Sequence, residues 1–86
     1  MKINGVEIPK GSILLEPRKV HDKAIIGFKE VVLYDYELLI EGFLELGLSY
    51  DEALEWIDYN TVRSGQYIKG WPKIKGYYDD SDENEE

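Results

Sequence analysis

The chain has no cysteine, a single histidine, one methionine and three prolines in 86 residues. Without thiols there are no disulfide staples and no thiolate metal sites, a usage that suits a reducing compartment and predicts residence in the cytoplasm. With His21 as the lone imidazole, no HExxH or paired-histidine metal centre can form. A Ser-His-Asp triad would have to rest on that residue alone, and its neighbour Asp22 tends to diverge from it in sequence-adjacent geometry. His21 is therefore expected at the surface or an edge rather than in catalysis. No GxGxxG or GxxxxGK[ST] occurs, so phosphate cradling by a glycine-rich loop has no support. Nor does any apolar run approach the roughly 20 residues of a membrane span, and Met1-Lys2-Ile3-Asn4-Gly5 lacks the apolar core of a signal peptide. Neither export nor a membrane partner is expected.

Base is also missing where acid is dense. Between Asp35 and Asp58 lie Asp35, Glu37, Glu41, Glu45, Asp51, Glu52, Glu55 and Asp58, with no lysine or arginine among them. The formal net charge of −8 is thus distributed in blocks. Residues 1–34 are +2, 35–58 are −8, 59–78 are +4 through Arg63, Lys69, Lys73 and Lys75, and 79–86 are −6. A uniform polyanion is the wrong picture; the pattern is a dipolar domain with an acidic appendage.

What is present suffices for one small fold. Apolar residues make up 43% of the chain, including seven Tyr, two Trp and two Phe, enough for a single core and against wholesale disorder. A domain this short buries only about 60% of its unfolded surface, so the stability margin is thin. Asn4-Gly5, flanked by Lys2-Ile3 and Val6-Glu7-Ile8, is a two-residue hairpin signal. Ser12–Leu15, Lys23–Lys29 and Val31–Tyr34 read as further strands, rich in β-branched and aromatic residues. Asp35 is placed as an N-cap for a helix over 36–46, with Gly47 as its left-handed C-cap. Ser49-Tyr50-Asp51-Glu52 matches a capping box, with Leu48 and Ala53 as a hydrophobic staple. A second helix follows, its buried stripe being Ala53, Leu54, Ile57 and Thr61. Beyond Ser64-Gly65, the segment 66–78 alternates around Gly70-Trp71-Pro72 and suggests two short strands. The expected class is α+β: one domain over 1–78, a small antiparallel sheet of three to five short strands packed against a two-helix hairpin. Residues 79–86, DDSDENEE, are expected to be a disordered, solvated acidic tail. That tail lacks the glycine and spaced glutamate of a calcium loop, so no metal and no cofactor is implied.

Four of the helical acids have a structural explanation, since Asp35, Glu37, Asp51 and Glu52 sit at helix beginnings and oppose the positive end of the macrodipole. Glu45 and Asp58 fall near helix ends, where negative charge is disfavoured. Glu37/Glu41, Glu41/Glu45 and Asp51/Glu55 are like-charged i, i+4 pairs costing about 0.2–0.5 kcal/mol each. Either the basic residues Arg63, Lys69, Lys73 and Lys75 fold against this surface and neutralise it, or the surface meets a partner. A second functional reading starts from QYIKGWPKIKGYY (66–78), where lysines are interleaved with Tyr67, Trp71, Tyr77 and Tyr78, the pattern by which modules stack and pair single-stranded nucleic acid. The acidic tail beside it opposes phosphate, which favours strands with exposed lysines and makes direct nucleic-acid binding the weaker reading. Nothing assembles a reaction centre, so an enzyme is not expected, although carboxylate pairs stay open because sequence spacing does not fix spatial separation.

The stretch Tyr50-Asp51-Glu52-Ala53-Leu54-Glu55-Trp56-Ile57-Asp58-Tyr59-Asn60-Thr61 resembles a segment of small phage and prophage proteins that carry the motif EEAxEWIDYNT after an acidic helix. Asp22-Lys23-Ala24-Ile25-Ile26-Gly27 and Tyr34-Asp35-Tyr36 are similar to the part that precedes it, so the likeness covers about half the chain. The family motif runs on into an Arg and then a Pro-Tyr pair; here Arg63 and Tyr67 stand without a proline between them. This resemblance implies an origin in mobile elements rather than a mechanism. A small acidic phage-type protein in a host cell has natural partners in proteins whose basic clefts hold nucleic acid. An acidic face can enter such a cleft as a phosphate mimic, with fast, salt-sensitive association. The expectation is inhibition of a host defence effector, of anti-CRISPR or anti-restriction type, through Glu37, Glu41, Glu45, Asp51, Glu55, Asp58 and Tyr59. Trp56 is expected in the core, or as a second aromatic anchor if it faces outward. A structural or self-associating phage protein, a homo-oligomer, is the alternative.

Overall fold

The structure, a computed structural model, describes residues 1–65 and 67–77. The α+β class holds. The chain opens with a hairpin of β1 (Lys2–Ile3) and β2 (Val6–Glu7), turned by Asn4 and Gly5 at φ 54° and 78°, the left-handed pair that a two-residue hairpin demands. After a long coil, the short helix α1 (Arg18–His21) and one 3₁₀ turn (Asp22–Ala24) lead into the antiparallel pair β3 (Ile25–Lys29) and β4 (Val31–Asp35). Asp35 ends the strand and accepts a hydrogen bond from the Leu38 amide at 3.0 Å, starting α2 (Tyr36–Leu46), which Gly47 stops at φ 115°. Ser49 and Glu52 form the expected reciprocal capping box at 2.8 and 3.2 Å, opening α3 (Tyr50–Trp56). The same rod continues as a π-helical segment from Ile57 to Arg63, and β5 (Lys73–Lys75) closes the described chain.

Two strand expectations fail. Ser12–Leu15 is coil: Ser12 folds back on the Pro9 carbonyl through both its amide and its hydroxyl, and the Leu15 amide donates to the Tyr34 hydroxyl at 3.0 Å. A side chain thereby satisfies a backbone donor that a sheet would otherwise have to pair. Among the described residues of 66–78 there is one strand instead of two, because the Ile68 and Trp71 amides bond back to Gly65 and Ile68 in successive turns. That strand joins the sheet in the order β3-β4-β5, and its pairing with β4 is parallel, Tyr34 opposite Ile74. Parallel pairing needs a crossover, and α2, α3 and the π segment together supply it. The acidic tail expected over 79–86 lies outside the described residues.

The core lies between this sheet and the helices. Ile8, Leu15, Ala24, Ile25, Val32, Tyr34 and Ile74 meet Leu39, Ile40 and Phe43 of α2 and Ala53, Ile57 and Val62 of the following rod. His21 belongs to it as well, which corrects its expected surface position. It has no exposed surface, and its ring meets Tyr34 and Phe43 edge-on at 5.9 and 5.4 Å and Trp56 at 5.6 Å. Nδ1 lies 3.1 Å from the Pro17 carbonyl, which makes that nitrogen the protonated one, while Nε2 is enclosed without a partner. Three aromatic neighbours treat the neutral imidazole as a core ring. Burial lowers its pKa, against the opposing pull of the Pro17 carbonyl and the nearby Asp22 and Glu16.

The folded state thus refuses a proton that the unfolded state takes up around pH 6.5. Stability is full above that pH and falls as the pH drops below it. Urea unfolding between about pH 7.5 and pH 5 is expected to give a midpoint that declines with acidification in the wild type and stays level in His21→Leu. Equal slopes in the two proteins would refute the buried neutral imidazole.

Candidate partner-binding surface

The two acidic helices do not present one continuous face. α2 buries Leu39, Ile40 and Phe43 and turns Glu37, Glu41 and Glu45 outward along one i, i+4 row, flanked by the exposed Leu38 and Leu44. Glu37 and Glu41 line a shallow cleft with Ile40, Leu44 and Tyr50, the first residue of α3. Neither makes an ion pair among the described residues. Glu45, one turn on in the same row, lines a separate cleft with Lys19 and Lys23 and pairs with the Lys23 ammonium at 3.6 Å. Both groups of that pair are about 70% exposed, so its contribution to stability is small.

On α3 the acids divide again. Asp51 is exposed in the first turn, and Glu52 accepts the Ser49 amide through Oε1. Glu52 and Glu55 border a groove of about 480 Å³ with Leu48, Trp56, Tyr59 and Asn60. Asp58 faces away from it: Oδ1 accepts the Tyr77 hydroxyl, and Oδ2 lies 3.3 Å from Arg63 Nε. Asp58 is thereby a clamp between the π segment and the turn after β5, a structural position that sequence spacing could not reveal. Nearby, Tyr36 meets Tyr77 edge-on at 5.2 Å. The Tyr36 pKa is raised, first by burial and then by Tyr50 and Asp58.

Neutralisation by the chain's own bases is therefore partial. Arg63 engages Asp58, and Lys23, a base outside the four expected to do so, engages Glu45. Lys69, Lys73 and Lys75 make no ion pair with the helical acids among the described residues. What stays open is Glu37 and Glu41 on one helix, and Asp51 and Glu55 on the other.

Trp56 is half-buried, between the core position and the outward-facing anchor that were the two expectations for it. Its ring packs on Phe43 at 4.7 Å, tilted by 38°, and lies 5.6 Å from the His21 ring, and it also lines the groove. Tyr59, 57% exposed, stands beside it, with the Arg63 guanidinium 4.9 Å over its ring. Leu48, Glu52 and Asn60 were not among the expected contact residues. Glu52, Glu55, Trp56 and Tyr59 nevertheless recur at i, i+3, i+4 and i+7, the spacing of one helical face, and that periodicity was available in the sequence.

A separate cleft carries lysines. Lys10 and Lys69 line it, about 260 Å³ in volume, with Ser12, Glu30 and two glycines, and Tyr67, two residues before Lys69, is 91% exposed. Trp71, by contrast, is no free stacking platform, since its indole donates to the Thr61 carbonyl at 2.6 Å. Among the described residues no cluster of three or more His, Asp or Glu could hold a metal ion, and no helix is long and apolar enough to cross a membrane. No protein-family model, curated protein or solved structure matches the chain.

Proposed function

We propose that the protein is a non-enzymatic inhibitor that binds a host protein with a basic, nucleic-acid-handling surface and holds it through exposed helical carboxylates. The observation that carries this reading is the pair of helices whose outward acids, Glu41 and Glu55 foremost, have no ionic partner among the described residues and stand in like-charged i, i+4 rows. Folding gains nothing from those charges, and a positively charged cleft would gain from them in association rate and specificity. Glu37 and Asp51 add to the surface while also serving their helix beginnings. A defence effector of the CRISPR or restriction type is the sharpest form of the proposal, because such proteins present a phosphate-binding cleft and the resemblance implies an origin in mobile elements.

The test is the double reversal Glu41→Lys/Glu55→Lys. Each substitution turns a like-charged i, i+4 pair into an attractive one, so the melting temperature is expected to hold or rise. Capture of host proteins from nuclease-treated bacterial lysate should be lost, and wild-type capture should be displaced by salt and by added oligonucleotide. Capture that survives the reversal, or that neither salt nor oligonucleotide displaces, would sink the proposal. The alternative, direct binding of nucleic acid by Lys10, Tyr67 and Lys69, predicts that a labelled single strand binds the pure protein at low salt.

A further inference from the structure

Among the described residues, the exposed carboxylates that share a concave site with an indole are Glu52 and Glu55 of α3. We infer that the groove bordered by Glu52, Glu55, Trp56 and Tyr59 is an arginine pocket, the point at which a basic segment of the partner protein inserts a guanidinium; this rests on the acidic-surface reading and specifies it. Trp56, which lines the groove, is held by its contact with Phe43, the rings 4.7 Å apart and tilted by 38°, and with His21 at 5.6 Å, so one aromatic ring is in place before any ligand arrives. Glu55 has no ion pair among the described residues. Glu52 commits Oε1 to the Ser49 amide and keeps Oε2. Carboxylate oxygens beside an immobilised indole are what a planar, weakly hydrated cation uses, stacking its face and forking its N–H groups to the acid.

The chain already demonstrates the chemistry on the same ring system. Arg63 lies 4.9 Å over Tyr59 and is balanced by Asp58 at 3.3 Å, and it is not part of the groove's lining. Its charge is accounted for locally, which leaves Glu52 and Glu55 as the uncompensated charge facing the groove. The α2 cleft differs in kind. Glu37 and Glu41 border Leu44, Ile40 and Tyr50, a residue that is 58% exposed, with no indole, and such a site attracts any cation without preferring arginine.

The experiment is a ¹⁵N NMR titration of the full chain with two short peptides, Gly-Arg-Gly-Arg-Gly and its lysine counterpart. The arginine peptide is expected to move the Trp56 indole resonance and the backbone amides of Leu48, Glu55, Tyr59 and Asn60, and to bind about threefold or more tightly than the lysine peptide. Glu55→Gln and Tyr59→Ala, both at exposed positions, should weaken it, and Glu41→Gln should not. Equal binding of both peptides, or shifts centred on Glu37 and Glu41, would overturn the arginine pocket while leaving the acidic-surface reading intact. No shift with either peptide, together with loss of lysate capture on charge reversal, would likewise overturn the pocket alone. If that reversal leaves capture unchanged, the surface reading fails with it.

Discussion

Gly65→Ala should cost about 3 kcal/mol or more, a large effect for the addition of one methyl group. Gly65 is buried, and a Cβ built on it would overlap the indole of Trp71 at Cε2, Cδ2 and Nε1. The ring cannot simply swing aside, since its N–H is committed to the Thr61 carbonyl at 2.6 Å. Its displacement would surrender that bond together with the packing that ties the end of the π segment to the approach to β5. The sign is diagnostic. At an unstrained glycine without a close neighbour, alanine usually stabilises by about 0.4–1 kcal/mol, because it restricts the unfolded chain. The variant should therefore melt more than about 10 °C below the wild type, with a red-shifted tryptophan emission from the displaced ring. A matching cycle checks the cause: in a Trp71→Ala background the added methyl should cost less than about 0.5 kcal/mol. A wild-type background that tolerates Gly65→Ala to within about 0.5 kcal/mol would refute the close approach.

Phe43→Ala is the second large effect, expected at about 3–5 kcal/mol. Phe43 is 1% exposed at the middle of α2 and joins three elements at once, meeting His21 of α1 edge-on at 5.4 Å and Trp56 of α3 at 4.7 Å. A small domain has about 5–15 kcal/mol in total, so removal of this ring consumes much of the margin. Phe43→Leu, which keeps most of the volume, should cost about 1 kcal/mol. Urea denaturation followed by tryptophan fluorescence separates the two. The consequence reaches the surface, because Trp56, which lines the groove, loses the ring it packs on. Phe43→Leu is thus expected to weaken the arginine peptide more than its modest loss of stability would suggest. A Phe43→Ala cost below about 1 kcal/mol would mean that the three helical elements are not joined through this side chain.

How much of this was legible in the residues depended on the range of the interactions involved. The Asn4-Gly5 turn, the Asp35 cap, the 36–46 helix with Gly47 at its end and the Ser49–Glu52 capping box all agree with the structure. Each is decided by groups within four residues of one another, where chain geometry leaves few alternatives. The same holds for the buried positions Ala53, Ile57 and Thr61, which helical periodicity marks without reference to any partner.

Longer-range contacts decided the remainder. Ser12–Leu15 has strand composition, but the Leu15 amide finds the Tyr34 hydroxyl nineteen positions away and the segment stays coil. His21 has the composition of a surface residue, yet Tyr34, Phe43 and Trp56, brought from three separate elements, close around it. Asp58 and Glu55 look equivalent as acids on one helix; the fold gives Asp58 to Tyr77 and Arg63 and leaves Glu55 beside an indole. By itself, then, the sequence determined the 36–46 helix with both its caps, the start of the helix after Ser49, and that the acids outnumber their local bases, since propensity, capping and charge spacing are local quantities. It did not reveal the short helix Arg18–His21, the 3₁₀ turn that replaces the expected strand start at Lys23, or the π-helical continuation. Only the tertiary structure decided which acids are spent on the fold and which remain outward, because a carboxylate's partner is set by whatever the packed core carries to within a few ångströms of it.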